Sequence, residues 1–213
     1  MTTTLKDFIN GIAGTKAPGP SATFTVFHLF YAIELMSQTT MGRNKLAERL
    51  NVGEGAIRTM ISRLIDSGLM VTSKEGCSLT EKGLSVWKQF EEVFPIRVEV
   101  PQTELTTSDY NYAFLVKNRG DKVKSGIDQR DAAIVAGARR AVVIVAQKGH
   151  LRIESVSENV DEEFPKATKK LLGSFSPENN DVIVIAGGDT ALKAKRGAFA
   201  AAWSLLDGEK KMR

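Results

Sequence analysis

The sequence predicts an α+β fold in two parts: a helical module closed by a β-hairpin, then a domain in which strands and helices alternate. Three observations carry that reading. Within residues 42–69, apolar side chains recur at three-and-four spacing in two short stretches. A hairpin pattern follows at once. Beyond it, residues 110–206 read strand, helix, strand, strand, helix, strand, helix.

At 213 residues the chain has room for two domains of ordinary size. Its apolar share of 42% and charged share of 25% are those of a soluble globular chain. The single cysteine, Cys77, excludes an internal disulfide and a cysteine-rich zinc site, and with only His28 and His150 besides, no metal-ligand cluster is visible. A small buried thiol suits Cys77 better than a redox sensor, because no basic cluster stands beside it in sequence.

Residues 1–20 form an N-terminal arm or short packing helix, with Leu5, Phe8, Ile9 and Ile12 as its apolar face. The run Ala17, Pro18, Gly19, Pro20 ends it. It has none of the layout of a signal peptide. Residues 22–36 are the most apolar run, yet they include His28 and Glu34 and fall short of the roughly 20 residues a bilayer needs, so no membrane partner is expected. This first helix of the module carries Phe24, Val26, Phe27, Leu29, Phe30, Ile33, Leu35 and Met36, more than one packing face requires. Either the C-terminal domain or a second subunit is expected to cover the surplus, and a homodimer is the preferred reading.

Leu46, Ala47 and Leu50 stripe one short helix, and Ile57, Met60, Ile61 and Leu64 stripe the next. Asn51, Val52 and Gly53 make the turn between them, since Asn and Gly tolerate a sharply bent backbone. Leu69 to Thr72, a turn at Lys74, Glu75 and Gly76, and Cys77 to Leu79 form the hairpin. Thr80 then caps a closing helix bearing Leu84, Trp87, Phe90 and Phe94, which Pro95 stops. These elements compose a winged helix-turn-helix over residues 21–95, whose expected partner is double-stranded DNA. Arg58, Thr59, Ser62 and Arg63 are assigned to base readout, and Arg43, Lys45 and Lys74 to phosphates. A net charge of +4 and a pI near 9.1 permit this without requiring it. Glu54 sits awkwardly at the leading end of the second helix unless it accepts from a cytosine amino group or restrains Arg58.

Residues 96–108 are polar, β-branched and interrupted by Pro101, and read as an extended linker or an edge strand. Residues 109–213 follow as the second domain: strand 110–116, helix 127–138, strands 141–146 and 151–156, helix 161–175, strand 182–186 and helix 190–206. The order βαββαβ is that of a ferredoxin-like sandwich with one extra C-terminal helix, and a three-layer α/β arrangement stays open beside it. The final helix is rich in alanine, which permits close packing against the sheet or against its copy in another subunit.

Two clusters in this domain are candidate effector sites. Ser125, Asp128, Gln129, Arg130 and Asp131 stand at the start of a helix, where free amides favour anions and could hold a small ligand, although helix capping and a salt bridge are the preferred account of them. Gly187, Gly188 and Asp189 follow a strand, where glycines let amides approach a ligand, or simply turn the chain into the next helix. There is no Walker A sequence, no GxGxxG and no nucleophile elbow.

The stretch GRNKLAERLNVGEGAIRTMISRLIDSGLMV with GCSLTEKG, and later SGIDQRDAAIVAGARRAVVIV and VIVIAGGDTALKAKRGAFAAAWSLL, resembles a family of archaeal winged-helix predicted transcriptional regulators with a C-terminal domain of unknown function. The resemblance spans residue 18 onward and implies a regulator; no ligand comes with it.

The expectation is therefore a cytoplasmic, homodimeric, sequence-specific DNA-binding transcriptional regulator. Its second domain senses a small-molecule effector or supplies assembly contacts. No cofactor, no metal and no enzymatic activity are expected. Two other classes stay in view: a winged-helix module fused to a metabolic enzyme acting on a phosphorylated or nucleotide substrate, and a protein-interaction adaptor.

Overall fold

The computed structural model describes residues 4–14 and 23–207. By Cα packing the chain divides into two compact units, residues 1–90 with 207–213, and residues 91–206.

In the first unit, helix α1 (Leu5–Ala13) starts where Thr4 accepts from the Asp7 amide at 3.1 Å, and it buries Ile9 and Ile12. The remainder of the expected arm, residues 1–3 and 15–20, lies outside the described residues. Helix α2 (Val26–Gln38) buries Phe27, Leu29, Phe30, Ala32, Ile33 and Met36. Most of its apolar surplus is buried, with the Phe30 ring 5.1 Å edge-on from Phe90, while Val26 and Leu35 stay half-buried. Helices α3 (Arg43–Leu50) and α4 (Glu54–Asp66) follow, joined through Asn51 in the left-handed region at φ 52°. The hairpin is β1 (Met70–Thr72) against β2 (Cys77–Leu79), and α5 (Glu81–Val93) buries Val86, Trp87 and Phe90.

The hairpin is held to the rest of the unit at both ends. At its far end Met41 and Cys77 exchange backbone hydrogen bonds of 3.0 and 2.9 Å, a third short strand position that the sequence did not announce. Gly76, at φ 133°, has room for no side chain, because a Cβ there would stand 2.7 Å from the Met41 carbonyl oxygen. At its base Gly83 lets α5 approach the Leu69 carbonyl, which an added Cβ would meet at 2.2 Å.

The second unit is a five-stranded antiparallel sheet in the order β3-β4-β7-β5-β6, from strands β3 (Ile96–Glu99), β4 (Tyr110–Val116), β5 (Arg140–Gln147), β6 (His150–Arg152) and β7 (Val182–Gly188). Residues 96–99 are thus an edge strand paired with β4. One face carries Ala113, Leu115, Ile144, Ile183 and Ile185 and is covered by Val160 of helix α7 (Val160–Glu163), Ala167 of helix α8 (Pro165–Ser174), and Phe175. The other carries Phe114 and Ala186 and is covered by helices α6 (Ile127–Val135) and α9 (Ala191–Ser204); Phe199 of α9 stands 6.1 Å from the Phe114 ring.

This departs from the ferredoxin-like arrangement, in which the helices share one face and the second hairpin strand runs between the first two. Here the last strand, β7, takes the central slot between β4 and β5. Its run VIVIAGG is buried at every position, so it needs neighbours on both edges and cover on both faces. The three-residue β6, exposed at His150, goes to the rim. The three-layer alternative is the one realised. The expected single helix at 161–175 is two, because Pro165 disfavours helical backbone at Phe164.

Candidate nucleic-acid interface

Helix α4 buries Ala56, Ile57, Met60 and Leu64 against the unit and turns Gly55, Arg58, Thr59 and Ser62 outward. Arg58 and Glu54, with side chains 63% and 66% exposed, pair at 2.5 Å one helical turn apart, and Arg43 lies 3.9 Å from the same carboxylate. Glu54 thus restrains Arg58, the second of the two roles its position suggested. The exposed Thr59 donates its hydroxyl back to the Gly55 carbonyl at 2.9 Å, which leaves the oxygen lone pairs free to accept. Arg43, Lys45 and the wing-tip Lys74 are all exposed. Helices α3 and α4 begin at Gly42 and Gly53, neither of which has a side chain to cap the first-turn amides.

Arg63 is not part of this face. It is 8% exposed, and its Nη1 donates to the carbonyls of Ile12, Ala13 and Gly14 at 2.9, 3.1 and 2.5 Å, with the guanidinium carbon 5.2 Å above the Phe24 ring. The assignment of Arg63 to base readout is corrected: it takes the unpaired carbonyls at the end of α1, where a cation is favoured. The signal was present in the spacing, since Arg63 follows Met60 by three and precedes Leu64 by one, at the border of the apolar stripe.

Burial pushes the Cys77 thiol above its ordinary range, only partly offset by the charge of Arg43. Among the described residues no group of three His, Cys, Asp or Glu side chains could hold a metal ion. None of their helices is long and apolar enough to cross a membrane.

The two effector candidates of the second unit fare differently. Ser125, Asp128, Arg130 and Asp131 are exposed at the start of α6, with Arg130 and Asp131 paired at 3.1 Å and Ser125 Oγ accepting from the Ile127 amide at 3.4 Å. Gln129 is corrected: it is 5% exposed and donates to Ser204 Oγ at 3.3 Å, joining α6 to α9. Gly187 and Gly188 are also corrected. They are buried strand residues whose missing side chains make way for the chain itself, since a Cβ would meet Ser108 Oγ at 2.2 Å or the Ala194 nitrogen at 2.9 Å. Asp189 pairs with Arg139 and, at 3.4 Å, with Lys193, while Thr190 caps α9. Gly126 lies against Val143 whereas Gly187 accepts from the Arg139 amide, so the clusters stand at opposite ends of α6 and make no common site.

Residues 25–94 match the model of the CggR N-terminal DNA binding domain. The N-terminal unit is thus similar to a DNA-binding domain. Residues 107–205 match a domain of unknown function, DUF4443. Among solved structures the chain is similar to a hypothetical protein, PH0730, from Pyrococcus horikoshii OT3, with 27% identity, a TM-score of 0.69, and coverage of 85% of this chain and 92% of that one. Wild-type ZitR from Lactococcus lactis also matches, at 22% identity and a TM-score of 0.30, over 37% of this chain and 58% of that one. No curated protein matches.

Proposed function

We propose that the protein is a sequence-specific DNA-binding transcriptional regulator that works in the cytoplasm as a homodimer on paired half-sites. The observation that carries the reading is the outward face of α4. Arg58, Thr59 and Ser62 are solvent-facing on a helix whose opposite side is fully packed, in a unit matched by a DNA-binding domain model. Arg58 reaches a guanine edge, Thr59 and Ser62 meet bases or sugars, and Arg43, Lys45 and Lys74 hold phosphates on either side. The second unit is the regulatory half, with Ser125, Asp128, Arg130 and Asp131 as the effector candidates that keep their exposure.

Selection of duplexes from a random pool, followed by titration, tests this. Arg58→Ala should cost about 1–3 kcal/mol on the selected duplex and relax its preference, whereas Lys74→Ala should weaken every duplex alike and reduce the salt dependence. Equal affinity for all duplexes would refute sequence-specific regulation, and affinity without salt dependence would point to the adaptor role.

A further inference from the structure

Strand β5 is paired along β7 from Arg140 to Val145, but β6 covers its other edge only at Val145, Ala146 and Gln147. The hairpin loop of Lys148 and Gly149, both at positive φ, is of the tight two-residue kind that closes on a hydrogen-bonded pair, Gln147 with His150. Backbone groups alternate sides along a strand, so the odd-numbered residues of β5 point away from β7 and the even-numbered ones toward it. The Ala146 amide, donating to the Asp181 carbonyl at 2.9 Å, agrees. Ala141 and Val143 therefore present N–H and C=O to the side on which β6 has ended. The chain leaves that edge because it turns back on itself after Arg152: the Ile153 amide donates to Ser157 at 2.8 Å, and Ser155 has φ 60°.

This strand edge is no flat rim. It lies in a cleft of about 230 Å³ between the start of α6, with Ser125, Ile127 and Arg130, and the Ile153, Glu154 and Val156 turn. Ile127 and Val156, 48% and 68% exposed, join Leu105 and Ile153 as its apolar lining, and Arg130 and Glu154 are the charged residues that line it. Unpaired strand groups between apolar walls match one chemistry: an extended backbone to complete the ladder, with uncharged side chains alternating toward the two walls.

We propose that the open edge of β5 at residues 141–143 is a docking groove for an extended, apolar peptide segment of a partner protein, which adds a strand to the sheet. The proposal is independent of the DNA-binding reading and makes the effector of the second unit a peptide in place of a small metabolite.

Amide exchange by NMR on the full-length protein tests it. Without peptide, Ala141 and Val143 should exchange on the order of 100-fold faster than Val142 and Ile144. A capped heptapeptide of alternating valine and threonine, at millimolar concentration, should slow those two amides at least about tenfold and shift the methyls of Ile127, Ile153 and Val156. The same peptide N-methylated at alternate amides should do neither, and Val156→Arg, at an exposed position, should abolish both effects with the spectrum otherwise unchanged. Equal protection of all four amides in the free protein, or no perturbation at millimolar peptide, overturns the proposal. So does protection that rises with the concentration of the protein alone, which would give the edge to a second copy.

Discussion

Replacing Arg63 with alanine separates a residue that reads DNA from one that holds the reader together. The Nη1 atom carries two protons for three carbonyls, so one proton is shared and the set is worth about two full hydrogen bonds. A bond to a charged group contributes about 1.5–3 kcal/mol, which brackets the pair at roughly 3–6 kcal/mol. The freed carbonyls near Gly14 can regain water, which places the expected loss at the lower end, about 3 kcal/mol. For a domain of this size that lowers the unfolding midpoint of the first unit by about 12–24 °C. Arg63→Lys, with a compact ammonium in place of the fork, should recover about half. The assay is thermal unfolding followed through Trp87 fluorescence in a Trp203→Phe background, paired with titration of the selected duplex and several mismatched ones. Affinity should fall by a common factor on every duplex, in proportion to the unfolded fraction. An unchanged midpoint together with an altered base preference would refute the reasoning and return Arg63 to the groove.

Gly55→Ala should act with opposite signs on fold and binding: no atom lies within 4 Å of an added Cβ, so the helix gains about 0.5–1 kcal/mol in denaturant, while the selected duplex binds more weakly if α4 approaches it closely. Gly83→Ala should cost about 2 kcal/mol or more in the same denaturation assay, because the Leu69 carbonyl must move. Lys117→Met leaves Asp181, 1% exposed, with the amides of Asn118 and Glu178 as its remaining partners among the described residues, and should destabilise the second unit by about 3 kcal/mol in calorimetry. For Cys77 the folded state favours the neutral thiol, so its contribution is complete below the unfolded thiol pKa and is lost as pH climbs through the raised folded value. Denaturation from pH 7.5 to 10.5 should therefore show the wild type losing stability relative to Cys77→Ala.

The helix-turn-helix was legible because its signal is local. Leu46 and Leu50, then Ile57, Met60 and Leu64, repeat at helical spacing, and Asn51 with Gly53 marks the turn between them. Arg63 was misread because a border position is decided by what lies across it, here the carbonyls of α1, about 50 residues earlier in the chain. The strands of the second unit were largely legible, but their order was not. Pairing is non-local, and β4, β5 and β7 are all apolar runs with little to rank them. Only the unbroken VIVIA of β7, against the half-polar HLR of β6, told centre from rim. Glycine was the most ambiguous letter. Gly187 and Gly188 look like an open ligand loop in sequence, yet Ser108 and the first turn of α9 fill the space beside them.

The clamp between Met41 and the wing has a mechanical consequence. With Cys77 bonded to Met41 and Gly76 pressed against its carbonyl, the hairpin tip and the leading end of α3 share one backbone anchor, so Lys74 cannot swing independently of Arg43. The span between the wing and the start of α3 is consequently preset, like the jaws of a fixed gauge. A duplex gripped by both would have to match that span in its own groove width, and stiff or compressible base steps would register as differences in binding even where no side chain touches them.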